Sequence, residues 1–303
     1  MVHGIINIYK EKGYTSHDVV ARLRGIIGQK KIGHTGTLDP DAEGVLPVCL
    51  GKGTKLCDML TEQGKTYEAV LLLGQTTDTQ DVSGKTLSVC ETNLLKEEQV
   101  KRCIGEFVGE YAQIPPMYSA LKVNGRKLYE LAREGKEIER KARNMKIFDI
   151  RIMEMKLPRV KMEVVCSKGT YIRTLCFDIG AKLLVGGCME SLVRTRVGEF
   201  LIEDSLTLQE VEKRKAEGIL EKQIIPIDSM FPQYQEVTMG EEKEYLVYNG
   251  NSFLKKDAAL CPHLQELEKV KVYDRHKTFI GIYQYHEDEE AFHIIKMFYE
   301  QMS

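Results

Sequence analysis

Apolar residues recur along this chain with two different periods, and their irregular succession predicts an α+β protein. Residues 5–9 form a short apolar run that reads as a strand. Behind Ser16, the residues Val19, Val20, Leu23, Ile26 and Ile27 fall at helical spacing, which predicts a helix capped by that hydroxyl. A glycine-punctuated loop covers 28–44. Stretches 45–50 and 67–73 read as buried strands with a short helix over 56–60 between them, and polar turn residues occupy 75–84. A helix is expected over 97–104. Pro115 and Pro116 forbid regular helix in Gln113-Ile114-Pro115-Pro116-Met117-Tyr118-Ser119-Ala120, which reads as a loop. Asn124-Gly125 marks a turn, 127–133 a helix, 144–155 and 160–166 two strands around Pro158, and 171–184 a further helix. Strands mixed with helices, without steady alternation, favour a mixed, largely antiparallel sheet.

Ile224-Ile225-Pro226-Ile227-Asp228 followed by Phe231-Pro232 places a boundary that divides the chain into 1–235 and 236–303. Beyond it, 245–248, 270–273, 278–285 and 292–298 read as short strands separated by turn residues, the pattern of a small β-barrel. No internal repeat or low-complexity tract is present.

Charge reinforces this division. The chain of 303 residues carries a formal net charge of -2, too little to grip nucleic acid by bulk electrostatics. Residues 236–303 hold 8 Lys and Arg against 13 Asp and Glu, so a mildly basic body is joined to an acidic tail piece. Within the body, basic residues cluster at Arg22/Arg24/Lys30/Lys31, Lys122/Arg126/Lys127, Arg140/Lys141/Arg143/Lys146 and Arg194/Arg196. Singly these are solvated faces; together they permit a surface that tracks phosphates. The apolar run 5–9 stops at Lys10-Glu11-Lys12, which fits neither a signal peptide nor a membrane span, so the expected location is the cytoplasm. Eight scattered cysteines, no two separated by two residues, read as reduced thiols, and Cys261 with His263 lacks the second ligand pair that zinc requires. No metal is expected.

Candidate chemistry concentrates between Gly33 and Gly44, where His34, Thr35, Thr37, Asp39, Asp41 and Glu43 crowd among glycines and a proline. Asp39-Pro40 is on its own a turn former. A calcium loop would place ligands at Asp39, Asp41 and Glu43, but its last position is Leu50 in place of the bidentate acid, and flanking helices are missing. A glycosidase pair of Asp39 with Asp41 or Glu43 rests on sequence proximity alone. Neither a Gly-x-Gly-x-x-Gly turn nor a Walker-type loop is present; Gly51-Lys52-Gly53-Thr54-Lys55 lacks the upstream glycine. No cofactor is expected.

Lys31-Ile32-Gly33-His34-Thr35-Gly36-Thr37-Leu38-Asp39-Pro40 closely resembles the catalytic motif of TruB-type tRNA pseudouridine synthases. Further matches are Lys10 to Ser16, Lys65-Thr66-Tyr67, Thr77-Asp78-Thr79-Gln80-Asp81 with Gly84, the 113–120 loop, 125–135 and Ser167-Lys168-Gly169-Thr170-Tyr171-Ile172-Arg173. The resemblance spans 4–228 strongly and the tail weakly, where Gly281-Ile282-Tyr283 and the strand pattern are similar to a PUA-like RNA-binding domain. Glu11 departs from the proline that the family often carries there. The resemblance implies a pseudouridine synthase fold, isomerisation of the T-loop uridine at tRNA position 55, and a monomer acting on tRNA. Asp39, Tyr67 and Arg173 would carry catalysis, with Arg173 pairing Asp39 and Tyr67 stacking on uracil. His34, Lys10, Leu192, Lys31 and Thr35 would meet the RNA, His34 filling the place of an extruded base. Two rivals are a tRNA-binding or tRNA-folding module without catalysis, and a hydrolase that releases free uracil.

Overall fold

The computed structural model describes residues 1–123 and 125–300. Its first part runs β1 (Gly4–Lys10), α1 (Ser16–Ile27), β2 (Ile32–His34), β3 (Glu43–Leu50), α2 (Cys57–Thr61), β4 (Lys65–Leu73) and the hairpin β5 (Gln75–Thr77) with β6 (Thr86–Val89). There follow α3 (Glu97–Gly105), β7 (Gly109–Gln113), the hairpin β8 (Lys122–Val123) with β9 (Arg126–Lys127), α4 (Leu128–Arg133), β10 (Arg143–Lys156), β11 (Arg159–Cys166), α5 (Ile172–Lys182), β12 (Gly187–Val197), β13 (Phe200–Leu201) and α6 (Leu208–Ala216). The expected turn residue Asn124 lies outside the described residues.

Nine strands form one sheet in the order β1-β3-β12-β4-β11-β10-β7, with β2 added to β3 and β13 to β12. Every neighbouring pair is antiparallel except β12 with β3, whose register is Val193 opposite Glu43 and Arg194 opposite Gly44. The mixed, largely antiparallel sheet expected from the sequence is therefore present. Strand β4 alternates buried and half-buried positions along its whole length, as a strand covered on one face by helix α5 requires.

Helix α1 starts from a reciprocal cap in which the Thr15 hydroxyl accepts from the Asp18 amide and the Asp18 carboxylate accepts from the Thr15 amide. Thr15, and not Ser16, is the cap; Ser16 begins the helix and its hydroxyl serves elsewhere. Val19, Val20, Leu23 and Ile27 pack with Ile6, Ile8, Leu46 and Val48, and Gly28 ends the helix in the left-handed region. Two further corrections concern strands. The polar stretch after Gln75 contains the β5–β6 hairpin, and β12, at the centre of the sheet, has no counterpart in the sequence reading.

After Phe231 a second sheet forms from β14 (Gln235–Met239), β15 (Phe253–Leu254), β16 (Ala258–Leu260), β17 (Lys269–Tyr273), β18 (Phe279–His286) and β19 (Ala291–Met297), in the order β15-β19-β18-β17-β14-β16. It curls into the small PUA-like barrel expected. Residues 245–248, read from sequence as a strand, belong instead to the helical turn α7 (Glu244–Tyr248), which buries Glu244 and Val247. Ile282 and Phe298 of the barrel share an apolar cluster with Ile5, Val45, Phe200 and Phe231, which fastens it to the back of the large sheet. Five of the eight cysteines are buried, and all eight are free thiols. Among the described residues, no helix is long and apolar enough to cross a membrane.

Candidate active site

The loop between β2 and β3 is held by hydrogen bonds to its main chain. Lys10 Nζ donates to the carbonyls of Ala42 at 2.6 Å, Pro40 at 3.1 Å and Glu11 at 3.2 Å. Ser16 Oγ accepts from the Leu38 amide at 2.9 Å, and the Gly13 amide donates to Pro40. Lys10 is 0% exposed, and burial draws its ammonium down to about 8 against the opposing pull of Asp39 and Glu43. It lies in the interior, whereas the sequence reading places it against RNA, and the interior position follows from the carbonyls that the ammonium satisfies.

Held this way, Leu38 and Ala42 turn inward onto Tyr67 and Leu192, while Asp39 faces outward with 40% of its side chain accessible. Arg173, in the first turn of α5 and 5% exposed, comes up beneath it. Its Nε meets Asp39 Oδ2 at 2.9 Å and its Nη2 donates to Asp39 Oδ1 at 3.4 Å. The remaining donors go to the Tyr118 carbonyl at 2.9 Å and the Thr79 carbonyl at 3.0 Å, with Asp81 Oδ2 at 3.6 Å. A guanidinium fork engaged on two carboxylates and two carbonyls has one orientation only. Burial raises the Asp39 carboxyl above the ordinary carboxylate range; Arg173 opposes that rise and the like charge of Asp81 adds to it.

Asp81 is itself fixed, accepting from Thr79 Oγ1 at 2.8 Å, the Ser83 amide at 3.0 Å and Ser83 Oγ at 2.5 Å. Thr174 donates to Gln80 at 2.7 Å, so the Thr77-to-Gly84 turn is latched onto α5. The sequence motif containing Asp81 was visible, but not its contact with Arg173.

Tyr67 is almost wholly enclosed, and burial raises its phenol above the usual value, opposed by Arg194. His34 stands at the other side of the loop, edge-on to His17 with ring centroids 5.5 Å apart, its Nδ1 accepting from the Gly36 amide at 3.3 Å. Burial, then the charges of His17 and Arg194, bring its pKa down to about 4, so the ring is neutral at physiological pH. Thr35, expected from sequence to meet RNA, is buried and donates to the Pro47 carbonyl. Lys31 is 44% exposed and pairs with Glu300 at 3.1 Å, away from Asp39.

Arg194 reverses a reading outright. Counted from sequence among the surface basic clusters, it is 1% exposed in the centre of the sheet, directly across from Tyr67. The available signal was its place two residues after Leu192 within a partly apolar run.

Known proteins resemble this chain in sequence and in fold. Residues 24–172 match the family described as TruB family pseudouridylate synthase (N terminal domain), and 173–232 match the tRNA pseudouridylate synthase B C-terminal domain. A curated relative named tRNA pseudouridine synthase B, from Lachnoclostridium phytofermentans, is 49% identical over 98% of this chain and 100% of its own length. Another of the same name from Clostridium novyi is 47% identical over 93% of this chain and 95% of its own. Among solved structures, an H/ACA RNP bound to a substrate RNA containing 2'-deoxyuridine superposes with a TM-score of 0.70 at 26% identity, covering 98% of this chain and 86% of that one. A Cbf5-Nop10-Gar1 complex gives 0.70 at 28% identity, covering 98% and 85%. Sequence likeness over nearly the full length and likeness of fold lead to one assignment: the chain belongs to the TruB family of pseudouridylate synthases.

Proposed function

We propose that this enzyme isomerises the T-loop uridine at position 55 of tRNA to pseudouridine, with Asp39 as the group that acts on the sugar. The observation that carries the reading is the Asp39–Arg173 pair, a carboxylate 40% exposed to solvent yet gripped from below at 2.9 Å. The relatives named tRNA pseudouridine synthase B support tRNA as substrate.

The reaction breaks the C1'–N1 bond, turns the uracil while it stays bound, and joins C1' to C5; the C5 proton leaves and N1 gains one. No group enters from outside, so the proposal requires neither redox cofactor nor metal. Nucleophile at C1', base at C2' and counter-charge to a cationic sugar are the roles open to Asp39, and each requires its carboxylate ionised. Arg173 supplies the charge that favours ionisation. Tyr67 offers a flat face on which a detached base is retained while free to rotate, worth about 1–3 kcal/mol of stacking. Neutral His34 enters the gap left by the extruded nucleotide without a charge to desolvate. Leu192, in the same apolar cluster as Tyr67, closes the apolar floor, while Lys31 meets a phosphate. Lys10 and Thr35 act by holding the loop.

The same reading divides the chain into a catalytic part, 1–235, and a PUA-like barrel, 236–303, working as a monomer in the cytoplasm. Its test uses unmodified tRNA carrying tritium at uridine C5. Wild type releases tritium and converts the uridine; Asp39→Asn protein releases none. Undiminished release from the variant overturns the assignment of Asp39, and tight tRNA binding by wild type with no release selects a binding module instead.

A further inference from the structure

Arg194 differs from Arg173 in having no carboxylate within ion-pair distance among the described residues. An interior guanidinium without a counter-ion is costly, and its donors must be satisfied by other groups. Here Nε donates to the Val45 carbonyl at 2.7 Å and Nη2 to the Gly36 carbonyl at 3.2 Å. Those two carbonyls bracket the Asp39 loop.

Arg194 touches the loop through its main chain as well. It is the register partner of Gly44, whose φ is +104°, and a methyl group on Gly44 would lie 2.2 Å from the Arg194 carbonyl oxygen. Gly36, with φ +150°, lies beside the guanidinium, where an added methyl would rest in ordinary contact 3.7 Å from Nη1. On its other side Arg194 is paired with Tyr67 across β12 and β4. One buried residue thus fastens both ends of the loop that carries Asp39 to the strand beside Tyr67.

We propose that Arg194 is a positioning residue that fixes the separation between the Asp39 carboxylate and the Tyr67 ring. This rests on the reading of Asp39 and Tyr67 given above. Release of the loop at Gly36 and Val45 leaves the exposed surface of the site intact but lets the carboxylate drift relative to the base platform. A displacement of about 1 Å costs about a hundredfold in rate.

The test compares Arg194→Met and Arg194→Lys with wild type and Asp39→Asn in single-turnover tritium release, filter binding of tRNA and thermal melting. Methionine is expected to slow release about a hundredfold, with the dissociation constant for tRNA held within about threefold. Lysine, a compact charge able to reach one of the two carbonyls, is expected to recover about tenfold of that loss. If methionine does not fold, the lysine variant decides: a tenfold slower release with unchanged tRNA binding upholds the role. Release at the wild-type rate by either variant, or a lysine variant whose rate and binding fall by the same factor, overturns it. Asp39→Asn separates the two claims, since its full activity removes the active-site reading, whereas its silence beside a fully active Arg194→Met removes only this one.

Discussion

Replacing Arg173 by methionine keeps most of the side chain's length and deletes its charge. Both Asp39 oxygens, the Thr79 carbonyl and the Tyr118 carbonyl then lose a donor, and Asp81 loses its neighbouring charge at 3.6 Å. Because Asp39 is 40% exposed, water re-solvates it and its half of the ion pair is discounted. The two carbonyls cost about 1 kcal/mol each, and unneutralised Asp81 adds a comparable amount, for about 3 kcal/mol in all. At roughly 2–4 °C per kcal/mol for a domain of this size, the melting temperature falls by roughly 6–12 °C. Activity changes by a separate route. The enclosed part of the Asp39 side chain and the like charge of Asp81 push its carboxyl upward while Arg173 opposes them, so losing Arg173 raises it further. The ionised, active fraction then appears only at higher pH, so the acid limb of the pH profile for tritium release moves upward. Lysine at 173 keeps the charge and leaves that limb nearly in place while losing the carbonyl contacts. A methionine variant that melts with wild type and shows the same acid limb refutes the electrostatic reasoning.

His34 gives a pH-dependent contribution to stability. Its folded pKa of about 4 lies below the ordinary histidine value of 6.5, so an unfolded chain takes up a proton as pH falls through 6.5 and the folded site does not. Stability is therefore lost between those values, by up to about 3 kcal/mol, and urea denaturation at pH 7 and pH 4.5 should show a smaller loss for His34→Asn than for wild type. Equal losses would sink the idea. Gly44→Ala combines a left-handed φ with a main-chain collision at 2.2 Å and is expected to cost about 3 kcal/mol or more. Gly28→Ala, with φ +77° and nothing within 4 Å, should cost about 1 kcal/mol, so thermal melts that fail to separate the two variants contradict the steric argument.

The elements read correctly from sequence are those whose burial is one-sided and regular. Val19, Val20, Leu23 and Ile27 mark α1 because a single face of that helix meets the sheet, and β4 shows its period for the same reason. Strand β12 was hidden: Glu190, Arg194 and Arg196 interrupt its apolar pattern, and register shifts near Ser191 and Arg196 break the alternation. Glu190 finds Arg159 at the surface and Arg194 finds carbonyls inside, partners that only the folded chain supplies. Tyr245-Leu246-Val247-Tyr248 has the composition of a strand, yet Val247 packing in the barrel core holds it as a helical turn. In the site, the pairing of Asp39 with Arg173 rested on family likeness, whereas the interior positions of Lys10 and Thr35 were illegible and that of Arg194 was signalled only by its place two residues after Leu192. Lys and Arg near glycine-rich loops ordinarily face water, and nothing local reveals that carbonyls will claim them.

Asp39 and Arg173 stand 134 residues apart. A chain emerging during synthesis therefore carries its Asp39 loop for a long interval before helix α5 and strand β12 arrive with Arg173 and Arg194. The two matched family segments meet between 172 and 173, inside the first turn of α5, so that division is one of sequence bookkeeping and not of structure. A chain severed there would leave the carboxylate on one fragment and its partner Arg173, with the loop-holding Arg194, on the other. The order of assembly thus delays any capacity to act on RNA until most of the catalytic body has been made.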